Sequence, residues 1–279
     1  MDLEIRPFTA ADIPFGMLLT DSEEWYRVPA DWARLLRIEP EGAFKAVADG
    51  IPVGTAAALA FDTMAWIHSM IVLKDFRSQG IGEALLRACL GFVEQRGILC
   101  TKLDSVEGVE DFYARLGFIE EYPSWRLYAD PVPGRPKASR MRRQDYDAVF
   151  AFDQAATGLD RRRALEAILA DYPDRAYVVR SRGQVRGYAI LRKGERRDPL
   201  GPCVADPEDP GVAADLLATA LAAAEGRKLR MCVGGYHDVA LKVAEELGFD
   251  RSDHSTRMYR GARFVESRAC FAMISAEKG

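Results

Sequence analysis

MIVLKDFRSQGIGEALL, Met70–Leu86, passes from an apolar stretch through a charged loop containing Gly80 and Gly82 into a segment of helical period. Ile81, Leu85, Ala88 and Phe92 keep to one helical face, so the stretch reads as strand, loop and amphipathic helix. The start of such a helix presents free backbone N–H groups and the positive end of its dipole. Two residues without side chains let an anion approach that backbone, and Arg77 adds a charged donor, a combination suited to a diphosphate. A plain tight turn has the same signature. A Rossmann dinucleotide site is the rival anion reading, but its three-glycine turn and following acidic residue are missing.

The chain repeats this plan. PCVADPEDPGVAADLL, Pro202–Leu217, aligns with the quoted stretch if one loop residue is absent, pairing Gly80 with Gly211 and Gly82 with Ala213. Upstream of each copy lies a hairpin pattern, AFKAVADGIPVGTAAAL around Asp49-Gly50 and AYVVRSRGQVRGYAIL around Arg182-Gly183. Gly82 to Phe118 and Ala213 to Phe249 both span 36 residues, and each phenylalanine closes a helix, FYARLGF or VAEELGF, capped by glycine. Eight residues beyond each stands an arginine, Arg126 and Arg257. PVPGRPKA, residues 131–138, reads as a linker. The expected organisation is a domain over 1–130, the linker 131–138, and a second domain over 139–279. Each half reads as α/β (α+β): a mostly antiparallel sheet with one parallel strand–helix–strand crossover and flanking helices.

Composition narrows the partners. With 279 residues, 48% of them hydrophobic, and a formal charge of -4, the chain can bury a core and has no wholesale attraction to nucleic acid or to an anionic membrane. No run approaches the ~18 apolar residues of a membrane span, and the start lacks a signal-peptide layout, so a cytoplasmic location is expected. Five scattered cysteines without CxxC and three dispersed histidines signal neither a disulfide framework nor a metal site. A small-molecule partner is the default, and a homodimer is compatible with the reading.

Arg-x-x-Gly-x-Gly after such a strand, 31 residues from Gly82 to Tyr113 in FYARLGF, resembles the acetyl-CoA signature of the GNAT superfamily of acyltransferases, and IRPFTAADIP extends the likeness toward the N-terminus. WYRVPADWARLLRIEPEGAF, GPCVA (201–205) and RMYRG (257–261) resemble members with a second, degenerate GNAT domain. The resemblance implies that backbone groups of Ile71, Val72 and Leu73 hold the pantetheine arm and acyl carbonyl of acetyl-CoA. It implies too that Arg77, Ser78, Gln79, Gly80, Ile81 and Gly82 wrap the pyrophosphate.

Acyl transfer to an amine needs a neutral nucleophile, a polarised carbonyl and a proton for the departing thiolate. By the family pattern Tyr113 donates that proton, and a phenol of pKa about 10 is protonated at neutral pH; a core tyrosine on an amphipathic helix is the plain alternative. Alternation in AWIHSMIVL places Trp66, His68, Met70 and Val72 on one strand face. His68 falls where arylalkylamine-type GNAT enzymes carry a base, with a structural histidine as the plain alternative. Asp104 and Glu107, at the end of the next strand, are fallback bases, with ordinary loop carboxylates as the alternative. The stretch 21–32 lies where the family builds its acceptor wall: Asp21, Glu23 and Glu24 to attract a cation, Trp25, Tyr26 and Trp32 to give a flat surface. A capped surface helix with aromatic anchors explains the same residues.

In the second half DPEDPG replaces DFRSQG and Ala244 stands in the place of Tyr113. Carboxylates repel a diphosphate and each proline removes an N–H donor. Arg161–Arg163 reads as a solvated basic helix face, with contact to an anionic group on the acceptor or to the 3′-phosphate of CoA as the lesser alternative. ARFVESRACFAMIS reads as a last strand without an assigned partner. The expectation is an acetyl-CoA-dependent transferase acting on a primary amine of a small molecule or peptide without a metal, its C-terminal half degenerate. A non-catalytic acyl-CoA-binding sensor is the alternative, and an acceptor other than an amine or a longer acyl donor is a lesser variant.

Overall fold

The structure, a computed structural model, describes residues 1–275. Two compact units are present, the first formed by Met1–Leu103 with Tyr259–Arg263, the second by Asp104–Met258 with the described residues from Phe264 onward.

The first unit carries strands β1 (Leu3–Pro7), β2 (Ala43–Ala48), β3 (Ile51–Ala60), β4 (Met64–Val72) and β5 (Cys100–Ser105), the last ending just past the unit boundary, in that spatial order. All neighbours from β1 to β4 are antiparallel; β4 and β5 are parallel, as the crossover through helix α3 (Ile81–Gln95) requires. The β2–β3 turn has Asp49 and Gly50 at φ 47° and 83°, the backbone of a two-residue hairpin. α3 sets Leu85, Leu86, Cys89, Leu90, Phe92 and Val93 toward β2–β4, each larger side chain contributing about 1.5–3 kcal/mol by leaving water. Helices α1 (Ile13–Ser22) and α2 (Pro29–Ile38) cover the opposite face, where Trp32 and Leu35 pack with Phe8, Ala43 and Ala57.

In the second unit come helix α4 (Glu110–Ala114), strands β6 (Ile119–Ala129) and β7 (Ser139–Arg140), helices α5 (Tyr146–Thr157) and α6 (Arg162–Asp171), and strands β8 (Ala176–Ser181), β9 (Gln184–Leu191) and β10 (Asp198–Ala205). Helix α7 (Pro210–Ala222), strand β11 (Leu229–Gly234), helix α8 (Asp238–Glu246) and strands β12 (Asp250–Gly261) and β13 (Cys270–Ala272) follow. The spatial order is β12-β6-β11-β10-β9-β8-β7, with β13 on β10. The local features of the first half recur: φ 50° and 79° at Arg182 and Gly183, and left-handed glycine caps at Gly117 and Gly248, with φ 87° and 86°.

The last strand of each half departs from the repeat. β6 pairs antiparallel with β11, Ser124–Ala129 against Gly234–Leu229, rather than closing a sheet of its own half. β12 begins in the second unit and ends in the first, where Ala262 N–H donates to Leu99 O at 2.9 Å. Periodicity marks both segments as strands, but the partner of a strand is not written in its period. The basic run also needs correction: Arg161 is buried, bonded to Asp153 at 2.6 Å, and Tyr188 completes the cluster by donating to Asp153 at 2.5 Å. Arg162 keeps the solvated role expected of it, paired with Asp147 and Glu166.

Candidate functional site

Between β4 and α3 the turn stays at the surface, with Arg77, Ser78, Gln79 and Gly80 all exposed. Gly80 is the N-cap of α3 at φ 82°, a left-handed conformation that would cost another residue about 1–2 kcal/mol. The first N–H groups of α3 have no intrahelical partner and point out of this turn. Arg77 folds back: its Nε donates to Val72 O at 2.9 Å and its Nη2 is paired with Glu23, a residue of the expected acceptor wall. Gln79 Nε2 donates to Asp75 O at 3.2 Å. Ile81 turns into the core.

β4 and β5 are paired only from Met64–Trp66 against Cys100–Lys102, after which β4 runs on to Val72 with one flank clear of that register. Of the three residues assigned to the pantetheine arm, Leu73 has both main-chain groups engaged inside the protein. Its N–H donates to Val53 O and its carbonyl accepts from Phe76 N–H, both at 2.9 Å. Strand alternation puts the backbone of Ile71 on that same β3 side and the backbone of Val72 on the clear flank.

A bulge interrupts β4. Ser69 has φ 54°, and the β3 register slips between Thr55 and Ala57. An extra residue resets the alternation, so the face begun by Trp66 and His68 continues with Ile71, which is opposite Thr55, while Val72 lies on the other face. The expectation of one face through Met70 and Val72 is corrected accordingly. Thr55 Oγ1 donates to Ser69 O at 2.8 Å and steadies the bulge.

His68 is 5% exposed, its Nδ1 2.8 Å from Ser69 Oγ, and Arg27 Nη1 donates to the same hydroxyl at 3.1 Å. The guanidinium of Arg27 lies 5.8 Å from the ring of Trp25 and 5.6 Å from that of Trp32. The loop between α1 and α2 is bent at Glu24 and Tyr26, both left-handed at φ 55° and 49°, and Tyr26 OH meets Glu24 Oε2 at 3.2 Å. Strained non-glycine backbone of this kind is found at ligand-contacting loops. Trp25 and Tyr26 remain half-buried, whereas Trp32 is a core residue stacked on Phe8 at 4.8 Å, so it is no part of a wall. Arg27 and Ser69 were missed in the sequence: nothing in a lone arginine or in a serine inside a strand announces a buried cation beside a bulge.

Tyr113 lies in the second unit, on the single turn of α4, 8% exposed and edge-on to Phe112 and Phe118 at 5.0 and 5.9 Å. Asp104 is engaged as an acceptor by Arg257 and by Ser124 Oγ, the latter at 2.7 Å, which argues against a base role; Glu107 is exposed.

The turn of the second half is built differently. Asp209 is the N-cap of α7 and Pro210 occupies its first position, Glu208 N–H is taken by Asp206 Oδ1 at 2.9 Å, and Arg186 is paired with Asp206. An anion would meet carboxylates there instead of free N–H groups. Among the described residues no group of His, Cys, Asp and Glu is arranged to hold a metal ion, and no helix is long and apolar enough to cross a membrane.

Residues 6–118 match a family profile described as "Acetyltransferase (GNAT) family", and residues 149–270 a second described as "Acetyltransferase (GNAT) domain". A holothin acyltransferase of Pseudoalteromonas sp. (strain SANK 73390) is 24% identical over 86% of this chain and 82% of its own length. A putative acetyltransferase of Pyrococcus horikoshii has a similar fold, with TM-score 0.84 at 22% identity over 99% of this chain and 96% of that one. A tandem GNAT protein from the clavulanic acid biosynthesis pathway aligns with TM-score 0.65 at 17% identity, over 95% of this chain and 100% of that one. Two family domains in one chain, joined to the shared fold, identify the protein as an acyltransferase of the GNAT family with its domains in tandem.

Proposed function

We propose that this acyltransferase takes its acyl group from acetyl-CoA at the turn 77–82 and passes it to a primary amine of a small molecule or peptide. The family generally uses acetyl-CoA and acts on small-molecule or peptide amines. The observation that carries the reading is the exposed turn itself: left-handed Gly80, the free N–H groups opening α3 and Arg77 stand at the end of β4, beside its clear flank. These residues fit a diphosphate with an extended arm, and the turn of the second half does not.

When bound, acetyl-CoA supplies the activated thioester. The chain's own residues place it and move protons: Arg77 and the N–H groups of Gly80, Ile81 and Gly82 hold the diphosphate, with Ser78 and Gln79 at its edge. The Val72 N–H holds the arm on the clear flank, the carbonyl of that residue being taken by Arg77 Nε. Tyr113 gives its phenolic proton to the leaving thiolate, as its place in FYARLGF supports. His68 takes a proton from the acceptor ammonium, with Ser69 orienting its ring. Trp25, Tyr26 and Glu24 form the acceptor wall. Direct attack within a ternary complex needs no covalent enzyme intermediate, because holding both reactants in register supplies much of the rate. The domains carrying these roles are proposed as 1–130 for catalysis and 139–279 as a support without a donor of its own.

Calorimetric titration of acetyl-CoA into the wild type and Gly80→Glu, followed by turnover of Tyr113→Phe on an amine panel, tests the reading. One site per chain, lost in Gly80→Glu, and a fall in kcat of about 100-fold or more at unchanged donor affinity in Tyr113→Phe are expected. No acetyl-CoA binding to the wild type would overturn it.

A further inference from the structure

The second unit shows what became of its own version of the clear flank. β10 and β11 are parallel and paired at Asp198–Leu229 and Pro199–Arg230, after which they part, as β4 and β5 do. In the second unit the parting is filled. β13 pairs with β10 at Cys203–Ala272 and Val204–Cys270, and Ala205 N–H donates to Ala269 O at 2.9 Å. On the other side Met273 N–H donates to Cys232 O of β11 at 3.0 Å. One segment is thus hydrogen-bonded to both strands. Among the described residues β4 has only β3 and β5 as neighbours, and no such segment follows it.

The fit is close in both backbone and side chains. A Cβ on Gly201 would stand 2.0 Å from Met273 O, so the segment lies on β10 at a point where only glycine leaves room. Ala269, Phe271, Ala272, Met273 and Ile274 are all buried, and Phe271 lies in the main core, its ring 4.7 Å from His237. Arg192 donates to Ile274 O, and Arg257 Nη2 lies 3.0 Å from Met273 Sδ. A pantetheine arm is itself extended and carries two amides, so a slot that takes one by main-chain bonding also takes a peptide strand.

We infer that residues 269–274 are a built-in occupant of the second half's donor slot: a strand-accepting groove between β10 and β11, loaded in cis by the chain's own C-terminal segment. The second half has lost donor binding twice over, through its acidic turn and through this strand, and each chain takes one donor. The stoichiometry rests on reading the turn 77–82 as a donor site; the strand-accepting groove does not.

The test uses the full chain, a chain ending at Ser267, and a fluorescein-labelled peptide RACFAMIS, residues 268–275. The full chain should bind one acetyl-CoA and show residues 269–274 strongly protected in hydrogen exchange. The shortened chain should melt at lower temperature and bind the peptide one to one, recovering its melting temperature, with acetyl-CoA at saturation leaving the peptide bound. Full-chain Gly201→Val covers the case in which the shortened chain does not fold: exchange at 269–274 should rise at least tenfold while 229–231 stays protected. Two acetyl-CoA per full chain, a shortened chain of unchanged melting temperature that ignores the peptide, or a wild-type segment exchanging like a free tail would each overturn the inference. Peptide binding without any acetyl-CoA binding would support the groove and sink the donor assignment instead.

Discussion

Arg257 lies across the carboxylate of Asp104, Nε to Oδ1 at 2.7 Å and Nη2 to Oδ2 at 2.9 Å, although 153 residues separate them in sequence. Both side chains are almost fully buried. Burial works against the charge on Arg257, and the Asp104 carboxylate more than reverses it, so the guanidinium is held protonated well above its ordinary range. Asp104→Asn leaves the buried guanidinium with Glu266, 3.3 Å from Nη1, as its remaining carboxylate and should destabilise the protein by about 1.5–3 kcal/mol in urea unfolding. Asp104→Leu with Arg257→Met and Glu266→Gln should recover most of that loss. A single variant within about 1 kcal/mol of wild type would contradict the account.

Gly80 and Gly50 share a left-handed backbone, φ 82° and 83°, and neither has an atom within 4 Å of where a Cβ would stand. Alanine at either position should therefore lower stability similarly, by about 1–2 kcal/mol. Only Gly80→Ala should weaken acetyl-CoA, by roughly tenfold, because its methyl group covers the N–H groups opening α3. Equal donor affinity in the two variants, measured by calorimetry, would remove Gly80 from the donor turn.

Glu23 and a bound diphosphate would compete for the Arg77 guanidinium. An exposed pair of this kind is worth about 1 kcal/mol or less. Glu23→Gln should tighten acetyl-CoA by up to about fivefold at low salt, an effect that fades as salt screens the pair, while Arg77→Ala weakens it. Weaker binding in Glu23→Gln would show that the carboxylate assists the donor.

Burial pushes His237 down to about 4 from its ordinary 6.5, and its Nδ1 accepts Ala240 N–H at 3.2 Å to cap α8. The folded state holds this imidazole neutral, so its contribution is complete above pH ~6.5 and is lost as pH falls through the window to ~4. The loss amounts to about 3 kcal/mol. Asn at 237 keeps a capping oxygen and cannot charge, so His237→Asn should lose less stability than wild type between pH 6.5 and 4. Parallel melting curves across that window would refute the assignment.

Much of this was legible in the chain because it is local. The positive-φ hairpins at Asp49-Gly50 and Arg182-Gly183, the glycine caps after FYARL and VAEEL, and the strand–loop–helix repeat each follow from a few neighbouring residues. The contrast between DFRSQG and DPEDPG was equally plain, since charge and missing N–H donors need no tertiary context. The candidate site was less legible: the bulge at Ser69 moved Val72 off the His68 face, and Trp32 went to the core.

The sequence by itself determined two copies of one strand–helix plan and which copy carries Arg-x-x-Gly-x-Gly rather than an acidic, proline-containing turn, because backbone dihedrals and side-chain period are set within a few residues. Tertiary structure alone decided that β6 pairs with β11, that β12 ends in the first unit, that β13 lies between β10 and β11, and that Arg257 meets Asp104. Two similar halves offer each final strand more than one edge of the same period. The choice among those edges is made by long-range packing and by which buried charges find partners.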